Sequence, residues 1–170
     1  MKKLLKVALV AFCVVLMGNF AKAQTKIGYI PFDQVISLMP ELKTVQTAVN
    51  TYQQTYVEQY NKLTGEYQNK LKDYETKRAT MNDAVRTVAE GELTDLQKRV
   101  TDLQTKASQD VEAKGQELMK PLMDKVRVAV NTVAKEKGYT YVINTTQTDL
   151  IVAPEADNLL AAVKLKLGLK

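Results

Sequence analysis

From Leu42 to Val88, apolar residues recur at intervals of three and four. The series is Leu42, Val45, Val49, Tyr52, Tyr56, Tyr60, Leu63, Tyr67, Leu71, Tyr74, Met81, Val85 and Val88, and only Arg78 interrupts it. A mean step of about 3.5 residues is the signature of a helix that lays one stripe against a partner helix. A second stripe runs through Leu93, Leu96, Val100, Leu103, Ala107, Val111, Leu118, Leu122, Val126, Val130 and Val133, with one gap near Lys114 and Gly115. The positions between are mostly Lys, Glu, Asp, Gln, Thr and Asn, and no Pro or Gly cluster separates the stripes. The pattern predicts two long amphipathic helices folded back on one another. Their tip is placed at 79–83, because the apolar spacing 81, 85, 89, 93, 96 passes through Gly91 unbroken and Asn82 suits an N-cap. Termination of the first helix at Gly91 is the alternative.

The flanks change period. Lys26 to Ile30, Tyr139 to Asn144 and Leu150 to Ala153 are short and rich in Tyr, Ile and Val, which predicts three strands. Pro31 closes the first, Gly138 stops the long helix before the second, and Pro154 closes the third. A helical turn over Asp33 to Leu38 leads to Pro40 at the start of the first long helix. Glu155 to Leu167 reads as a final helix with Gly168 beyond it. The fold class is therefore α+β, mostly α: a long antiparallel helical hairpin projecting from a small β-rich oligomerisation body. The body takes residues 24–40 and 138–170, the arm 41–137. Three short strands and one helix are marginal alone, so the pattern predicts an oligomer of unspecified number.

The N-terminus alters the charge picture. Lys2, Lys3 and Lys6 precede the apolar run Val7 to Met17, and Ala21 and Ala23 form an Ala-x-Ala site, which predicts a signal peptide of residues 1–23 cleaved after Ala23. The uncharged stretch ends at Ala21, short of the roughly 18 to 20 residues that span a bilayer. The expectation is an exported protein located in the periplasm. Cleavage removes four of the 24 basic residues, Lys2, Lys3, Lys6 and Lys22, and leaves 20 against 19 acidic ones. That near balance argues against nucleic acid as a partner. Cys13 departs as well, so the mature chain forms no internal disulfide and depends on packing.

With no histidine, and no cysteine after cleavage, the chain offers neither a Ser-His-Asp or Cys-His centre nor imidazole or thiolate metal ligands. It has no glycine-rich phosphate loop, and paired carboxylates such as Asp73 with Glu75, or Glu90 with Glu92, fall on solvated helices. The expectation is a non-enzymatic protein without cofactor or metal. Candidate contact residues are Tyr52, Tyr56, Tyr60, Tyr67 and Tyr74, whose rings combine apolar area with a polar tip. A helix seam and a surface for binding another chain both explain them. Lys70, Lys72, Lys77 and Arg78 are basic candidates near the tip, where basic residues outnumber nearby Asp73, Glu75 and Asp83 and allow at most weak membrane-surface contact. Pro121 interrupts a helical stretch and is either a static bend or a hinge.

The runs KIGYIPFDQVISLMPELKTVQ, ELMKPLMDKVRVAVNTVAKEKGYTYVINTT and LIVAPEADNLLAAV together resemble the Skp (OmpH) family of periplasmic chaperones. What is specific is their order: strand, helical hairpin with a proline in its returning arm, Gly-Tyr before a strand, and an Ala-Pro-x-x-Asp turn before the last helix. The resemblance covers essentially the whole mature chain. It implies a homotrimer whose helical arms surround a cavity for unfolded outer-membrane proteins, and an ATP-independent holding function. A structural spacer or assembly scaffold of the cell envelope is the alternative.

Overall fold

The computed structural model describes residues 25–169, so the expected signal segment lies outside the described residues. The elements run in the order β1 (Ile27–Ile30), α1 (Phe32–Ser37), α2 (Glu41–Lys77), a 3-10 turn (Arg78–Thr80), α3 (Asp83–Glu136), β2 (Tyr141–Asn144), a 3-10 turn (Glu155–Asp157) and α4 (Leu160–Lys166). Long helices and a small parallel sheet make the chain α+β and mostly α. It divides into two compact units, residues 25–32 with 129–168 and residues 33–128.

In the first unit β1 pairs in parallel with β2, Ile27 opposite Tyr141 and Ile30 opposite Asn144. Parallel strands require a long crossover. Here it comprises α1, α2 and α3. The end of α3 is a left-handed glycine stop: Gly138 has φ +72°, its N–H donates to Lys135 O (3.2 Å), and Tyr139 N–H reaches back to Ala134 O (2.9 Å). These two bonds satisfy carbonyls that the helix would leave unpaired. They also deliver Tyr139 into the core, where its ring lies under Lys26 at 4.1 Å and its hydroxyl donates to Asp157 Oδ1 (3.0 Å). Burial, and then Asp157, raise that hydroxyl's pKa above the ordinary tyrosine value. A Cβ on Gly28 would come within 3.0 Å of Tyr139 Cδ1 and 3.2 Å of Leu159 Cδ1, so only glycine lets β1 approach this closely. Ile30, Leu159 and Val163 complete a core from which water is excluded.

Two expectations fail in this unit. Leu150 to Ala153 forms no strand, and Ile151 and Val152 are 97% and 88% exposed. Strand β1 has two edges: β2 occupies one, and Asn158 and Leu159 take the other through a bridge at Tyr29 and a Leu159 N–H to Tyr29 O bond of 2.9 Å. Leu150 to Ala153 therefore has no place beside β1, whatever its strand propensity. The same bond breaks the final helix. Instead of running from Glu155 to Leu167, it splits into the 3-10 turn and α4, because Asn158 has extended backbone (φ −75°, ψ 117°) beside β1. Asn158 Oδ1 then accepts Leu160 N–H (3.0 Å) at the start of α4.

In the second unit α1 buries Val35 and Ile36, and Met39 follows them. Pro40 has helical dihedrals, φ −62° and ψ −29°, and leads into α2. At about 1.5 Å per residue the 37 residues of α2 extend roughly 55 Å. The chain leaves helical geometry between Thr80 and Asp83, and Asn82 Oδ1 accepts Val85 N–H (2.9 Å) to cap α3. Reversal at this point moves Val85 and Val88 off the first stripe, leaving them 49% and 62% exposed. A period counted through a turn loses its face. Helix α3 then continues for 54 residues, through Gly91, Gly115 and Pro121, to Glu136.

Candidate functional site

Helices α2 and α3 bury little between them. Along 41–128 only Val45, Leu96, Leu122 and Val126 fall among the buried residues, and the other apolar stripe positions, apart from exposed Val85 and Val88, are half-buried. Two helices can shield one stripe from one side only. Polar pairs supply the registration instead: Glu41 with Lys125 (2.5 Å), Tyr56 with Asp110, Lys70 with Glu92, and Tyr74 with Glu90 (2.5 Å). Each step along α2 in this series is matched by a step back along α3, which is the antiparallel hairpin that the two stripes predict.

All five tyrosine candidates lie half-buried along α2. Tyr52 and Tyr56 meet edge to face with ring centroids 5.5 Å apart. The Tyr56 hydroxyl donates to Asp110 Oδ2, which also accepts from Lys106 (2.7 Å). The bond to Asp110 is the first cause that pushes the Tyr56 pKa up, while Lys106, followed by Tyr56, holds the Asp110 carboxyl below its usual range. Tyr74 is raised chiefly by its bond to Glu90. Tyr56 and Tyr60 also line an open groove of about 380 Å³ with Val57, Leu103 and Ala107. The stripe is thus a seam at its tyrosine tips and a surface at some ring edges.

The basic candidates are mostly engaged. Lys70 pairs with Glu92, Lys77 with Asp73 (2.8 Å), and the Arg78 guanidinium lies 6.0 Å from the Tyr74 ring centre; Lys72 is exposed. Glu90 and Glu92, which follow the tip in sequence, return beside Tyr74 and Lys70 and offset the local basic excess. Pro121 lies inside α3 beside buried Leu122, with its own ring exposed. Sequence reasoning passed over Asp110, Lys106, Glu90 and Glu92 as binding partners. The signal that finds them is the pairing rule of an antiparallel hairpin, applied outward from its tip.

Among the described residues no cluster of acidic side chains is placed to hold a metal ion, and no helix is long and apolar enough to cross a membrane. Residues 26–167 match the family of OmpH-like outer membrane proteins. The chain belongs to that family. No curated protein sequence matches the chain. The OmpH-like match takes in both compact units, from β1 to the residue after α4. At family level it assigns a chaperone associated with outer-membrane proteins.

Proposed function

We propose that this protein is a periplasmic, ATP-independent holding chaperone, acting as a trimer that keeps unfolded outer-membrane proteins from aggregating. The reading is carried by the α2–α3 hairpin, whose aromatic and apolar side chains stay half exposed over most of its length while polar pairs fix its register. An unfolded client has no fixed geometry to match. Many weak apolar contacts, multiplied over several arms, give avidity through effective concentration. Charge contributes to capture, and apolar and aromatic area to retention. The signal-like N-terminus supports a periplasmic location, and the absence of a nucleotide motif from the sequence fits a cycle without ATP. The protein acts by binding and not by catalysis.

The test is light scattering after dilution of a denatured outer-membrane β-barrel with and without mature protein. Scattering should fall as chaperone is added, and unchanged aggregation at molar excess would sink the proposal. Replacing Tyr52, Tyr60 and Tyr67 with serine should weaken holding more than replacing Lys70, Lys72 and Lys77 with serine at physiological salt. Circular dichroism must show intact helices in both variants. A folded tyrosine variant that holds clients normally beside a lysine variant that fails would make capture electrostatic.

A further inference from the structure

The chain has no histidine and no tryptophan, and its one cysteine, Cys13, lies in the expected signal segment. Thioethers are therefore the groups of the mature chain that two-electron oxidants attack most readily. Its methionines are unequally placed. Met39 is 3% exposed, Met81 lies at the hairpin tip, and Met119 and Met123 stand one turn apart on one face of α3. Met123 is 38% exposed and Met119 is half-buried, so a small oxidant reaches both.

Their surroundings give oxidation a consequence. The two thioethers lie with Val45 and Val49 of α2 along the apolar side of the hairpin, and Leu122 and Val126 beside them are among its few buried residues. Pro121, between the two methionines in sequence, has no N–H to give the Glu117 carbonyl, so this turn of α3 is one hydrogen bond short. Packing against α2 must hold the helix here more than it does at an uninterrupted turn. A sulfoxide converts a flexible apolar chain into a polar one and weakens such packing. The turn that lacks a backbone bond and the hairpin's most exposed thioether thus coincide.

We propose that Met119 and Met123 form a reversible oxidation site whose modification loosens α3 around Pro121. The oxidant is a peroxide. An S–O bond forms as the O–O bond breaks, the sulfur gives up two electrons, and the second oxygen of hydrogen peroxide leaves as water with both hydrogens. A reductase working with a dithiol reverses the step, returning the thioether and releasing water and a disulfide. Without a cysteine of its own, the mature chain takes no part in that exchange.

The test treats the mature protein with hydrogen peroxide, locates sulfoxides by peptide mass spectrometry, and follows hydrogen exchange and urea unfolding. Met119 and Met123 should be oxidised several-fold faster than Met39. Exchange should then quicken several-fold across residues 115–125 of α3 and stay as it was in β1 and β2. The urea midpoint should fall by roughly 0.5 M. Met119→Leu combined with Met123→Leu keeps side-chain volume and should abolish both changes, although Met81 remains oxidisable. Methionine sulfoxide reductase with dithiothreitol should restore the wild-type values. Oxidation of Met39 as fast as Met123 overturns the proposal, and so does oxidised wild type with unchanged exchange and midpoint. A double variant that loses as much as wild type overturns it too, as do sulfoxides that are reduced without recovery of the midpoint. If the double variant fails to fold, Met81→Leu leaves Met119 and Met123 as the accessible thioethers and must reproduce the wild-type loss; a loss that disappears in that variant belongs to the tip and overturns the site.

Discussion

The sheet-containing unit and the hairpin unit stabilise themselves by different means. In the first, Ile30, Leu159 and Val163 are almost wholly removed from water, Tyr139 satisfies its hydroxyl inside the core, and both edges of β1 are occupied. In the second, long stretches of α2 and α3 meet through half-buried side chains, and polar pairs between exposed or partly exposed groups set the register. Exposed pairs of this kind contribute little energy each. The contrast teaches that the first unit is built for one arrangement, and the second for surface area and easy adjustment. The holding function proposed above would draw on both.

The largest effect that tests this contrast is a cavity. Leu159→Ala removes a side chain that is 1% exposed and should cost about 2 to 5 kcal/mol. Leu71→Ala, at a half-buried position in the hairpin, should cost well under half as much in the same urea titration followed by circular dichroism. Equal losses would mean that the hairpin is as tightly packed as the sheet unit. Next comes Pro121, which removes a helical hydrogen bond and sets its ring against the Glu117 carbonyl. Pro121→Ala should raise hairpin stability by up to about 3 kcal/mol. If the proline also works as a hinge, solution scattering should show a narrower spread of shapes in the variant. An unchanged spread leaves a static bend.

Much of this architecture was legible because a helix repeats. Thirteen apolar residues from Leu42 to Val88 expose the period, and Pro40, Asn82 and Gly138 mark where the backbone must change. Strand propensity alone was a weaker guide. Leu150 to Ala153 has strand-forming side chains, yet the sheet has no free edge on β1 to receive them once Leu159 has bonded to Tyr29. The position of the tyrosines could be read as a stripe, but their partners could not. Asp110 is 54 residues from Tyr56 along the chain, and only the reversal of the hairpin brings the two together.

Glycines give a sharper comparison, since one substitution should act with opposite sign in the two units. Gly28→Ala places a Cβ at 3.0 Å from the Tyr139 ring and should destabilise by about 1 to 3 kcal/mol. Gly65→Ala and Gly91→Ala, whose new Cβ atoms would meet nothing within 4 Å, should each stabilise by about 1 kcal/mol through helix propensity. Urea midpoints at constant slope measure all three. A destabilised Gly65→Ala or Gly91→Ala would show that the hairpin holds a close neighbour at that glycine, contrary to its open packing.

The smallest effect is the pH dependence of the Tyr56–Asp110–Lys106 cluster. The Asp110 carboxyl is depressed, first by Lys106 and then by Tyr56, so the folded hairpin binds this proton less readily than the unfolded chain. Its stabilising contribution is therefore present above the ordinary aspartate value of about 4 and is lost as pH falls through the lower folded value. Tyr56 has the opposite displacement, raised first by its bond to Asp110. Its contribution is present below the ordinary tyrosine value of about 10 and disappears as pH rises through the higher folded one. The cluster should hold the helices in register across the interval between those limits and release them at both ends. Asp110→Asn removes the titrating carboxylate, and with it the acid-side loss at this position and most of the alkaline displacement of Tyr56. Urea midpoints from pH 3 to pH 7 should be flatter for Asp110→Asn than for wild type, and ultraviolet titration should move Tyr56 ionisation towards the ordinary value. If both curves stay superimposable on wild type, the cluster does not register the hairpin, and its half-buried apolar seam must do so alone.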